Sequence, residues 1–113
     1  MMAAIDQIHI GAVVRFGIDG DTTELAKQIY FSYIRADSKA ITRLGPLGRE
    51  ALAMAIFHTA CIRRGHVLTV KQMLGIAQIP AGTWNRKAYL NLLKKLGHTR
   101  HTMMLVLRRA GKD

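Results

Sequence analysis

Two stretches carry side chains suited to gripping a nucleic acid. His9, Val13 and Arg15 alternate along residues 7–17, and Thr83, Asn85, Arg86 and Lys87 stand together further on. Arginine can pair with guanine O6 and N7, and valine can touch a thymine methyl. Asn85 and Arg86 are base readers by type, and Lys87 suits phosphate. A third group, Gly48 and Arg49, opens an expected helix whose free amides would face a phosphate. His98-x-x-His101 has a spacing that could hold a metal on a helix, yet no Cys, Asp or Glu lies nearby to complete the site. Cys61, near His58, sits in an apolar helix and reads as packing. Trp84 reads as a core anchor, with base stacking as its other use. There is no glycine-rich phosphate loop, carboxylate pair or nucleophile elbow. We therefore expect no enzyme, no catalytic residue, no metal and no cofactor.

The charge distribution agrees. Residues 51–112 hold eleven Lys and Arg and no Asp or Glu; the seven acids are Asp6, Asp19, Asp21, Glu24, Asp37, Glu50 and Asp113. Metal-dependent phosphodiester chemistry needs carboxylate ligands that this half does not have. The formal charge is +10 and the pI about 10.5, which makes double-stranded DNA the first partner to consider. The basic run alternates with Leu, Ile, Met, Trp and Tyr, so it should fold. With 113 residues, half of them apolar, a single domain over 1–113 is expected. One cysteine permits no intrachain disulfide and suits a reducing, cytoplasmic setting. The apolar stretch from Ala51 to Ile62 is too short to span a bilayer, and Met1–Asp6 lacks the regions of a signal peptide. We expect no membrane partner and see no sign of a small-molecule effector.

These side chains need elements to hold them. Ile8, Ile10, Ala12, Val14, Phe16 and Ile18 are apolar at every second position, which predicts a strand bracketed by Gly17 and Gly20. A single strand needs a partner for its backbone, and the same strand of a second molecule would supply it. Asp21-Thr22-Thr23-Glu24 resembles a capping box for a helix over about 22–36. A second helix is expected from Pro46 or Leu47 to Arg64, burying Leu52, Ala55, Ile56, Thr59 and Ala60. Thr69 should cap a short third helix with Val70, Met73, Leu74 and Ala77. Thr83 should cap a fourth over about 84–96, with Trp84, Ala88, Leu92 and Leu96 inward. Met103–Arg109 is helix or strand.

One strand followed by two helices resembles the ribbon-helix-helix DNA-binding regulators over about 7–64. The resemblance implies an antiparallel ribbon in the major groove, with Ile8, Ile10, Val14 and Phe16 at the dimer interface and His9, Val13 and Arg15 facing DNA. The layout is also similar to small transfer activators encoded on conjugative plasmids. Asp37-Ser38-Lys39-Ala40 to Arg43-Leu44-Gly45 resembles a stretch of the flagellar master-regulator D subunit, a family that opens with a helix. Thr69–Leu74, Ala77–Pro80 and Thr83–Lys87 resemble a helix-turn-helix. The expected fold is mainly α with one N-terminal β-strand, a ribbon-helix-helix-like dimer over 7–64 with a basic helical extension over 66–113. The expected function is a homodimeric, sequence-specific transcriptional regulator. The alternatives are a helix-turn-helix regulator reading DNA through 83–96, a structural accessory protein of a relaxosome or nucleoid, and a basic module on a membrane surface.

Overall fold

The computed structural model describes residues 2–39, 42–44, 46–77, 86–99 and 102–103. Among them lie the helices α1 (Met2–Phe16), α2 (Gly20–Ala36), α3 (Pro46–Arg63), α4 (Val70–Ala77) and α5 (Arg86–Lys95). α3 organises the rest. From Leu52 to Cys61 every residue is buried, so this helix has no solvent face over nearly three turns. A helix apolar on all sides must be surrounded. α1, α2, α4 and α5 each pack on α3, and α1 also packs on α2 and α4. Leu52, Met54, Ile56 and Phe57 are completely enclosed. Each contributes roughly 1.5–3 kcal/mol relative to an exposed side chain.

The expected N-terminal strand is overturned: residues 2–16 are helical, and no strand occurs among the described residues. The ribbon-helix-helix dimer over 7–64 goes with it, as does the resemblance that rested on the strand. The alternating pattern has a helical explanation. Steps of four satisfy both a period of two and a period near 3.6. Ile8, Ala12 and Phe16 form one such series, Ile10 and Val14 another, and the two lie on opposite sides of the helix. Ile5, Ile8 and Ala12 are buried, whereas Ile10 and Val14 face solvent. A helix also satisfies its own backbone, so no partner strand is required. Gly17 ends it with φ +64, and its amide donates to the Val13 carbonyl at 3.0 Å. That is a left-handed C-terminal cap, which glycine adopts without steric cost. Gly11 has a packing role. A Cβ there would stand 3.2 Å from both Cγ2 and the carbonyl oxygen of Ile76, so its absence lets α1 lie close against α4.

The other helices fall close to their expected places. The cap of α2 is Asp19, two residues earlier than the sequence pattern suggested. Its Oδ1 accepts from the Thr22 amide at 3.0 Å and from the Thr22 hydroxyl at 2.7 Å. These bonds, aided by Arg64, hold the Asp19 carboxyl down to about 2. Thr69 does cap α4, in a reciprocal box: the Gln72 amide donates to Thr69 Oγ1 at 3.0 Å, and the Thr69 amide donates to Gln72 Oε1 at 2.8 Å. α5 is rotated from its expected orientation. Tyr89 and Leu93 are buried, Leu92 and Leu96 are half-buried, and Ala88 is exposed.

Candidate nucleic-acid interface

α5 is seated by a buried polar network. His58 lies in the middle of α3 with no exposure. Its Nε2 is 2.8 Å from the Leu68 carbonyl and its Nδ1 is 2.8 Å from the Tyr89 hydroxyl. A carbonyl only accepts, so Nε2 carries the proton and Tyr89 donates to Nδ1. One imidazole thus ties α3 to the loop before α4 and to α5. Burial holds His58 down to about 4, so the ring is neutral at neutral pH. Burial also pushes the Tyr89 hydroxyl well above 10, which keeps it a donor. The far end of α5 is pinned as well. Thr59 Oγ1 donates to the Ala55 carbonyl at 2.8 Å, so His98 Nε2–H donates to Thr59 Oγ1 at 2.7 Å. We expect Tyr89→Phe to cost about 1–3 kcal/mol, because it strands the buried His58 Nδ1 without a donor. Denaturant unfolding at neutral pH checks this; an unchanged midpoint would mean that the Tyr89 hydroxyl does not hold the network.

With Tyr89 and Leu93 turned inward, the opposite side of α5 presents Lys87, Asn91, Lys94 and Lys95, all exposed. The spacing i, i+4, i+7, i+8 keeps them on one face. None of the three lysines has an acid within ion-pairing distance among the described residues. Five of the acids are paired elsewhere. Lys27 binds Asp6 at 3.1 Å and Glu24 at 4.0 Å, Arg64 binds Asp19 at 3.0 Å and Asp21 at 3.7 Å, and Arg43 binds Asp37. Three cations therefore absorb five acids, all on α1, α2 and their flanking loops. The positive face of α5 is left uncompensated. It continues into a groove of about 440 Å³ where Lys95 and Leu96 meet Arg63 at the end of α3 and Gln28, Ser32 and Tyr33 of α2. Arg63 is also exposed.

The residues singled out from sequence do not form one site. Val13 and Arg15 are exposed on α1, while His9 is half-buried with its ring 6.3 Å from that of Phe57. Ile8, expected at a dimer interface, is buried in the protein's own core. Ile10, Val14 and Phe16 are exposed. Gly48 is half-buried against Leu44, and Arg49 beside it is exposed near the start of α3. Lys87 is the one side chain of the second basic group whose position is described. Arg86 opens α5, and Thr83, Trp84 and Asn85 lie outside the described residues, as does the connection expected to form the helix-turn-helix turn. Asn91, Lys94 and Lys95 were missed as site residues. Their signal was present in the sequence: they continue the spacing that begins at Lys87. The inward register through Ala88 and Leu92 concealed it.

The remaining candidates are structural. Cys61 is buried and its thiol is pushed up to about 12, chiefly by burial, so it is not a thiolate at neutral pH. Among the described residues no three His, Cys, Asp or Glu side chains come together as a metal site, and His101 lies outside them. No described helix is long and apolar enough to cross a membrane. No family model, curated protein or solved structure matches the chain.

Proposed function

We propose that the protein is a DNA-binding transcriptional regulator that offers the outer face of α5 to double-stranded DNA. The observation that carries this reading is the uncompensated row of Lys87, Lys94 and Lys95 around Asn91, on a helix fixed from behind by Tyr89 and Leu93. A helix of ten residues is about 15 Å long, and the major groove, about 12 Å wide, admits one. In that position the lysines reach phosphates, and Asn91 has the donor and acceptor needed for adenine N7 and N6. Arg63 extends the phosphate contacts beyond the end of α5. This keeps the helix-led alternative of the sequence reading and abandons the ribbon. A cytoplasmic regulator of this kind also suits the reduced, buried Cys61. A second reading has its own support. The face holds one base-reading side chain among three lysines, which favours a structural accessory protein that grips the backbone with little sequence preference.

The test is binding to a labelled duplex across a series of salt concentrations. Four contacts, from Lys87, Lys94, Lys95 and Arg63, should give a slope of log K against log salt near −3.5. A flat dependence would remove DNA as the partner. Selection from a random duplex pool then separates the two readings. A consensus containing a fixed adenine supports regulation through Asn91, and an unenriched pool supports the accessory protein.

A further inference from the structure

α1 leaves an apolar stripe in solvent. Ile10 is 58% exposed, Val13 44% and Val14 80%, at positions i, i+3 and i+4 of one helix. Scattered surface apolar residues are ordinary, but three adjoining β-branched side chains on one helical face leave an unpartnered patch. The stripe borders a groove of about 340 Å³ between α1, α3 and α4, lined by Ala4, Gln7, Ile10 and Gly11 of α1 with Glu50 and Ile76 opposite.

The charges at the two ends of this stripe specify what covers it. Glu50 is the one acid among the described residues with no cation in ion-pairing range, and it sits beside Ala4 and Gln7, near the start of α1. Arg15 is exposed at the other end of the same edge, against Gly75 of α4, and has no acid in range among the described residues. The two levels are about 15 Å apart along the helix, with Ile10 midway. A two-fold axis at Ile10, perpendicular to α1, exchanges these ends while keeping them on the same side. Such an isologous contact satisfies both charges at once.

We propose that the exposed face of α1 is a homodimer interface in which two antiparallel α1 helices cross at Ile10 and each Arg15 meets the partner's Glu50. Ile10 packs against its own counterpart, and Val13 and Val14 close over the flanks. The contact uses side chains on the outside of a finished helix and needs no strand pairing. It is also independent of what α5 binds.

Sedimentation velocity of the full chain without nucleic acid tests the pairing. The wild-type protein should be a dimer at micromolar concentrations. Val14→Lys, a good helix former at a site 80% exposed, should leave a folded monomer. Arg15→Glu and Glu50→Arg should each weaken the dimer by about tenfold or more, since each sets like charges face to face. The two single variants mixed in equal amounts should form a heterodimer tighter than either homodimer, because both contacts then join opposite charges. The double variant should dimerise like the wild type. A wild-type monomer throughout, a dimer untouched by Val14→Lys, or single variants that ignore one another would each overturn the proposal.

Discussion

Replacing Lys87, Lys94 and Lys95 together by Gln is expected to weaken DNA binding about a hundredfold near physiological salt and to flatten the salt dependence by nearly three powers. Each lost phosphate contact removes about 0.9 from the slope, and at 0.15 M salt each is worth roughly three-quarters of a decade in affinity. Glutamine keeps the helix propensity of lysine, and all three positions are exposed, so the fold should persist. Circular dichroism confirms that first, and a fluorescence titration over several salt concentrations then gives both the affinity and the slope. The informative control is Arg49→Gln. That cation lies near the start of α3, away from the α5 face, and its loss should change affinity little. If it matters as much as the lysine triple, binding does not run through α5.

Acidification from pH 7 to pH 4 is expected to remove about 3 kcal/mol of folding stability through His58 alone. In the unfolded chain this imidazole takes up a proton near pH 6.5, whereas burial in the folded protein holds it down to about 4. Between those values the unfolded state binds more protons. Stability is therefore complete above pH 6.5 and falls as the pH drops towards 4. His98 is displaced in the same direction by burial and by Arg63, so it adds to the loss. Asp19 belongs to a lower window, between 3.8 and about 2, where protonation breaks its bonds to Thr22 and Arg64. Denaturant titrations at pH 7, 5.5 and 4 measure the effect. His58→Gln retains a donor and an acceptor but does not titrate, so its profile should be much shallower over the same range, keeping only what His98 contributes. An equally steep profile in that variant would assign the effect to another group.

How far the sequence discloses this fold differs from helix to helix. α2, α3 and α4 follow directly from their apolar spacing, because each has one strongly preferred inward side or none that faces water. For α3 the unbroken run from Ala51 to Phe57 already implied burial on every side, although a single stripe was the simpler reading. α1 misled because both of its faces are apolar: alternation and helical periodicity coincide at Ile8, Ala12 and Phe16. Ile5, three residues before Ile8 and beyond the reach of the supposed strand, was the residue that separated the two. α5 was placed correctly and turned wrongly. Tyr89 buries a hydroxyl that bonds to the distant His58, and a pairing 31 residues apart leaves no local trace. The charge asymmetry, by contrast, was plain from composition, and reading it required no assignment of fold.

The enclosure of α3 sets limits on how this protein can vary over generations. The buried residues from Leu52 to Cys61 are shared among the four helices that surround α3 as the turns advance. Inserting or deleting one residue there would swing everything beyond it by about 100° around the axis. His58 would then point away from Leu68 and Tyr89, and Thr59 away from His98. Point changes in this stretch are constrained by volume, but length changes are constrained by phase, which no compensating side chain can restore. α3 should therefore keep its length, whereas residues on the outer face of α5 can be exchanged one by one without rotating any other helix.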